Sequence, residues 1–219
     1  MIRLDNVSYT YPRTGQAALR DLTLTIGENE FVAIMGRNGS GKSTLARLLN
    51  GLLLPTTGRV EVDSMFTDER ASLAKLRERV GLLFPLADNQ FIAGTVEDDV
   101  AFGPENLGLS QQEIRIRVDT ALEMVSMEDY KKCPPNLLSG GQKQKVCLAG
   151  LLALRPGYMV LDEPGAMLDS MDCQKLMLAL LDLNHNFGIG IILITYSKHR
   201  LVSLLSLIPD LNLRTAPKG

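Results

Sequence analysis

The feature that most constrains this chain is a three-part run near its start: an apolar stretch, a glycine-rich loop and an amphipathic repeat. Phe31, Val32, Ala33, Ile34 and Met35 form a continuous apolar run, as a strand covered on both faces requires. Gly36, Arg37, Asn38, Gly39, Ser40, Gly41, Lys42 and Ser43 follow, matching G-x-x-x-x-G-K-[ST]. Behind the loop Leu45, Leu48, Leu49 and Leu52 recur at helical spacing until Pro55 bars further helix. A buried strand feeding a helix through such a loop predicts a phosphate cradle. Backbone N–H groups must wrap closely around phosphate oxygens, where Cβ atoms would collide. Lys42 supplies a positive charge for the β- and γ-phosphates, and Ser43 a hydroxyl for Mg2+. The N-terminus of the following helix adds a positive dipole.

The rest of the pattern places this loop in an α/β chain. Ile2, Leu4, Val7, Tyr9 and Tyr11 mostly alternate with polar residues, and Leu22, Leu24 and Ile26 alternate cleanly, so both stretches predict half-buried strands. Residues 59–62 and 80–84 predict further strands on either side of a charged helix near 69–79, and short apolar runs at 158–161 and 189–194 predict two more. The middle turns helical. Ser110-Gln111-Gln112-Glu113 is a capping-box pattern, and Ile114, Val118, Ala121, Leu122 and Val125 share the face behind it. Pro134-Pro135 forces a break, and a second helix fits 142–154 until Pro156-Gly157 stops it. His185, between Asn184 and Asn186, reads as part of a surface loop. Strands alternating with helices predict a parallel sheet in a single domain over residues 1–219, interrupted by a helical insertion at about 86–155.

Composition narrows the function classes. At 219 residues the chain is long enough to bury about 70% of its unfolded surface. With 45% hydrophobic and 22% charged residues it is neither disordered nor fibrous, and a net charge of −2 gives no basic field for nucleic acid as main partner. Cys133, Cys147 and Cys173 are scattered and odd in number, which predicts free thiols in a reducing compartment. Residues 1–6 lack the pattern of a signal peptide, and no apolar run approaches the ~20 residues of a membrane helix; 201–208 comes nearest. The expectation is a soluble, cytosolic chain whose membrane role, if any, comes through a partner.

Two further segments carry chemistry. Tyr158-Met159-Val160-Leu161-Asp162-Glu163 is an apolar strand ending in two carboxylates, and the carboxyl ends of parallel strands face the ligand crevice. Asp162 is expected to hold Mg2+, directly or through water, and Glu163 to orient and polarise a water. An acidic strand end facing solvent is the blander alternative, and the phosphate loop tells against it. Leu138-Ser139-Gly140-Gly141-Gln142 opens a helix with small residues, again an anion site. One nucleotide needs one cradle, so a second makes most sense if it serves another chain's nucleotide.

In this order, GRNGSGKST (which extends the loop to Thr44), LLSGGQKQKV and YMVLDEP resemble the ATP-binding-cassette (ABC) ATPases over nearly the whole chain, to about residue 200. The resemblance implies a P-loop NTPase core with a parallel sheet, a small N-terminal antiparallel β part and an inserted helical subdomain. It also implies a head-to-tail dimer, with ATP between one chain's phosphate loop and the other's Ser139, Gly140, Gly141 and Gln142. By the same analogy Tyr11 stacks on adenine, and Leu168-Asp169 is the loop through which the two sites communicate. A narrower resemblance lies in Asp88-Asn89-Gln90-Phe91 and in TVEDDVAFG at 95–103. These resemble the ATPases of energy-coupling-factor importers, which take up vitamins or cobalt and nickel ions in prokaryotes. That group works with a transmembrane scaffold and a substrate-capturing membrane subunit, at the cytoplasmic face of the membrane.

The chain departs from the family at two places. Pro85 stands where the family has a glutamine that reaches Mg2+ and the attacking water, and proline has neither a side-chain amide nor an N–H. Tyr196 stands where the family has a histidine against the γ-phosphate; Gln90 and His199 are poor substitutes by position. The tail is short, with an apolar stretch at 201–208 in place of the strand and turn expected there. Two readings therefore stay open: a working ATPase relying on Glu163, or a degenerate nucleotide-binding half whose Ser139–Gln142 segment completes a competent partner's site. A soluble ABC protein acting on DNA or ribosomes is a third, but such proteins carry coiled-coil insertions or tandem cassettes, and this chain has neither.

Overall fold

A computed structural model of the chain describes residues 1–85, 91–195 and 212–215. Strands β1 (Ile2–Thr10), β2 (Ala17–Ile26) and β3 (Phe31–Met35) precede helix α1 (Lys42–Leu49), and β4 (Thr57–Val62), β5 (Met65–Phe66), α2 (Leu73–Arg79) and β6 (Val80–Leu83) follow. Helices α3 (Val96–Asn106), α4 (Gln111–Met124) and α5 (Gly140–Leu154) come next, then β7 (Tyr158–Asp162), α6 (Ser170–Phe187), β8 (Gly190–Thr195) and β9 (Asn212–Thr215). The chain divides into two units. One holds Met1–Leu82, Gly157–Glu163 and Leu183–Gly219; the other holds Leu83–Pro156 and Pro164–Asp182.

The first unit carries two sheets. The antiparallel one has the order β2-β1-β4-β5, and the second has the order β6-β7-β8-β3-β9, with β3 parallel to β8 and β9 and β7 parallel to β8. Every residue of β7 and β8 is buried, as the apolar runs leading to Asp162 and Thr195 require of central parallel strands. Ile2, Leu4 and Val7 of β1 meet Leu45, Leu48 and Leu49 of α1 and Val160 and Ile192 of the parallel sheet in one core. Register then decides what faces the ligand edge. Met35 pairs with Thr195 and Asp162 with Ile194, so β3, β7 and β8 end together where β3 runs into the glycine loop.

In the second unit α3 and α4 both pack on α5. The Ser110 hydroxyl caps α4 by accepting from the Glu113 N–H at 3.3 Å. The box is not reciprocal, because the Glu113 carboxylate accepts from Arg117 Nε at 2.8 Å one turn on. Ile114, Val118, Ala121, Leu122 and Val125 are all buried, as the periodicity predicts. Helix α3 begins at Thr95, whose hydroxyl accepts from the Asp98 N–H at 3.3 Å, and its first turn holds Glu97, Asp98 and Asp99, the sign a helix N-terminus favours. No helix among the described residues is long and apolar enough to cross a membrane.

Two expectations are corrected. His185 lies in the last turn of α6, not in a loop, although it is exposed as expected. Leu176, Met177, Leu180 and Leu183 bury a helical stripe there. Asn184 is satisfied inside the fold, donating from Nδ2 to the carbonyls of Asn29 at 2.7 Å and Ile189 at 2.9 Å. The asparagines that suggest a turn are thus one buried anchor beside exposed neighbours. The tail also supplies a strand after all: β9 pairs with β3 through Val32–Asn212 and Ala33–Leu213, covering an edge that β3 would otherwise expose. The apolar stretch 201–208 lies outside the described residues.

Candidate nucleotide site

The phosphate loop has glycines for two different reasons. Gly39 and Gly41 both take φ +82°. A Cβ on Gly41 would lie 2.3 Å from the Ala18 carbonyl oxygen and 2.8 Å from Leu19 Cδ2, so β2 itself demands the glycine. A Cβ on Gly39 would meet nothing within 4 Å, and the space beside it is open to a ligand. Helix α1 starts at this αL glycine with no side-chain cap and no acid in its first turn, leaving its early N–H groups unclaimed by side chains. The Lys42 stem is buried, and its ammonium donates to the carbonyls of Gly36 at 2.8 Å and Arg37 at 3.0 Å. Ser40 Oγ is buried with no partner. An uncapped helix start, a lysine held at the loop and an orphaned hydroxyl are what a phosphate group would complete, so the residues fit nucleotide.

Beside the loop, Asp162 ends β7 only 3% exposed. Burial pushes its carboxyl above the usual range, against a hydrogen bond from the Ser43 side chain and the charges of Lys42 and Arg47. A cation at this carboxylate–hydroxyl pair would offset that penalty, so the pair fits Mg2+. Glu163 follows with φ +53°, a conformation rare outside glycine, held by its N–H donating to the Ile194 carbonyl at 3.0 Å. Its Oε2 accepts from Thr195 Oγ1 at 3.3 Å. Sequence reading missed Thr195; the signal was a lone hydroxyl ending an otherwise apolar strand. Tyr11 is tied to this site too, its hydroxyl 2.9 Å from Thr44 Oγ1 and its ring edge-on to Tyr9. Arg37, Asn38 and Gly39 form the exposed rim of the loop.

Ser139, Gly140, Gly141 and Gln142 belong to the second unit and open α5. The cap is fully closed: Ser139 Oγ accepts from the Gln142 N–H at 3.4 Å, and Gln142 Oε1 accepts from the Ser139 N–H at 2.9 Å. The N–H groups of Gly140 and Gly141 remain as first-turn donors, and the Ser139 hydroxyl keeps a proton to give. A Cβ on Gly141 would lie 2.9 Å from the Met167 carbonyl oxygen. In the neighbouring turn Leu168 is buried, and the Asp169 carboxylate accepts from the Asp172 N–H at 2.8 Å, capping α6. Gln144, two residues past the motif, is buried and donates from Nε2 to the Phe84 carbonyl at 3.4 Å, next to Pro85. Asp88, Asn89, Gln90, Tyr196 and His199 lie outside the described residues.

A loop of this geometry at the carboxyl edge of a parallel sheet, with a buried carboxylate on its serine, defines a P-loop nucleotide-binding fold. Residues 19–166 match the family described as ABC transporter, and the chain belongs to that family. It is 52% identical over 196 residues to the energy-coupling factor transporter ATP-binding protein EcfA of Syntrophomonas wolfei, covering 90% of this chain and 72% of that protein. It is 46% identical over 199 residues to EcfA1 of Clostridium novyi, covering 90% and 71%. Among solved structures it is similar to cbiO1 from Clostridium perfringens, part of the ABC transporter complex cbiONQ, with TM-score 0.78 and 40% identity over 90% of this chain and 78% of that one. It is also similar to a dimeric ATP-binding cassette in a post-hydrolysis state bound to ADP and Pi, with TM-score 0.83 and 34% identity over 91% and 90%.

Proposed function

We propose that this chain is the ATP-binding and ATP-hydrolysing subunit that energises an importer of the energy-coupling-factor type, bringing a vitamin or transition-metal ion across the membrane. The observation that carries the reading is the pairing of an unsatisfied phosphate cradle and its Asp162–Ser43 pair with a second, capped motif at Ser139. The 52% identity to an energy-coupling factor transporter ATP-binding protein supports the transport assignment. The chain acts as one ABC ATPase domain, paired with a second such chain, the same or different. Both sit at the cytoplasmic face of the membrane, on a transmembrane scaffold with a substrate-capturing subunit.

In this reading residues 36–44 hold the phosphates of ATP, with Lys42 turning from the loop carbonyls to the β- and γ-oxygens, and Tyr11 supports the adenine. Ser43 and Asp162 hold Mg2+, which when bound neutralises charge developing on the phosphates. Glu163, fixed by its backbone bond and by Thr195, accepts a hydrogen bond from the attacking water and polarises it. The partner's Gly140 and Gly141 N–H groups and Ser139 hydroxyl face the γ-phosphate from the other side. Closure on ATP and opening after hydrolysis convert nucleotide state into movement of the scaffold.

Pro85 favours a second reading, because it has neither the side-chain amide of a glutamine, which could reach both cation and water, nor a backbone N–H to donate. The chain is then the catalytically degenerate half of an unequal pair. Steady-state MgATP hydrolysis by the assembled pair separates them. A working site loses turnover on the order of 10²–10³ in Glu163→Gln, whereas a degenerate one changes little while Ser139→Arg still abolishes the partner's turnover. Equal indifference to both substitutions overturns either version.

A further inference from the structure

Beyond the motif itself, α5 carries a contact that no part of the site accounts for. Lys145, three residues past Gln142, places its ammonium 2.7 Å from Asp172 Oδ2, and the two side chains are only 17% and 23% exposed. Asp172 sits in the first turn of α6, and its own N–H is held by the Asp169 carboxylate at 2.8 Å. The turn between is fixed at other points. The Cys173 thiol lies 3.8 Å from the carbonyl oxygens of Gly165 and Leu168, and Gly141 leaves no room for a Cβ against Met167 O. One steric contact and one ion pair therefore join the motif helix to the turn that carries Leu168 and Asp169.

We propose that Lys145 and Asp172 are a positioning pair. They hold the Ser139–Gln142 helix end and the 165–169 turn in one arrangement, so that both are presented to a partner chain's nucleotide as a single rigid element. The inference rests on the reading that Ser139 completes a partner's site. Neither residue touches nucleotide. Both side chains are largely but not wholly sheltered from water, so the pair holds its geometry better than a fully exposed lysine–carboxylate contact, whose net worth is small. Its effect is on orientation: a loosened turn lets the Ser139–Gln142 helix end and the 165–169 turn arrive out of register, which lowers turnover without touching the phosphate loop of the same chain.

The test compares Lys145→Met, Lys145→Arg, Asp172→Asn and Ser139→Arg in the assembled pair, reading kcat and KM for MgATP, ATP affinity of the chain alone, and ATP-dependent association by sedimentation. Lys145→Met and Asp172→Asn are expected to lower kcat about tenfold and weaken association, with ATP affinity unchanged within about twofold. Lys145→Arg should restore kcat, since the guanidinium reaches the same carboxylate. Wild-type kcat in Lys145→Met, or a loss that Lys145→Arg does not recover, overturns the proposal. Should Lys145→Met melt too early to assay, the isosteric Asp172→Asn decides alone. If Ser139→Arg is silent as well, the reading of a shared site fails; if only Ser139→Arg abolishes turnover, that reading stands and the positioning pair does not.

Discussion

Residues 36–43 and 139–142 each open a helix with small residues, yet they leave those helices in opposite states. Helix α1 starts at an αL glycine without a side-chain cap, beside a buried hydroxyl that has no partner. Helix α5 starts at a serine whose box with Gln142 is closed on itself. The first is unfinished without an anion, and an orphaned buried hydroxyl costs about 1–3 kcal/mol until one arrives. The second is complete in itself, and in the proposed function its donors serve a group delivered from elsewhere. Sequence makes the two look alike, both glycine-rich helix starts, and their satisfaction sets them apart.

That contrast can be broken at several points, the largest effect first. Ser139→Arg should abolish turnover of the assembled pair while costing α5 about 1 kcal/mol for its lost cap, seen as a small drop in melting temperature. Glu163→Gln should reduce turnover on the order of 10²–10³ with ATP affinity retained, measured by steady-state hydrolysis beside equilibrium binding.

The two loop glycines sharpen it further. Gly41→Ala drives a Cβ into the Ala18 carbonyl and should destabilise the chain by roughly 3 kcal/mol or more, whereas Gly39→Ala meets open space and carries only the αL penalty of about 1–2 kcal/mol. Thermal melting of the nucleotide-free protein separates them, at about 2–4 °C per kcal/mol. The smallest effect concerns Asp162. Its carboxyl is raised by burial, so the ionised form penalises the folded state at neutral pH. Asp162→Asn should therefore melt above the parent without ligand. The gap should shrink as pH falls through the raised pKa and close near the unfolded value. MgATP should stabilise the parent far more than this variant.

How much of this was legible beforehand varies with the kind of interaction. The phosphate loop and the strand at 158–162 were readable because continuous apolar runs and glycine spacing are local signals. The α4 face was readable from its 3.6-residue period. Helix α6 was not, because Asn184 and Asn186 suggest a turn and only a tertiary contact, Asn184 with the Asn29 carbonyl, overrides them. Strand β9 depends on pairing with β3, which no local pattern in Asn212–Thr215 announces. At the site, the Asp162–Ser43 and Glu163–Thr195 bonds join segments far apart in sequence, so the residues could be nominated but their partners could not. The demand on Gly41 is also non-local: β2, not phosphate, makes alanine impossible there.

The central claim is that the two helix starts divide one task, the first binding nucleotide unaided and the second acting only on a partner's. Calorimetric titration of ATP into the dilute, unassembled chain tests it most directly, comparing the parent with Lys42→Ala and Ser139→Arg. The account predicts that Lys42→Ala loses at least about 100-fold in affinity, as removal of a charge-assisted phosphate contact should, while Ser139→Arg binds as the parent does. Equal losses in both, or binding that survives Lys42→Ala, would contradict it.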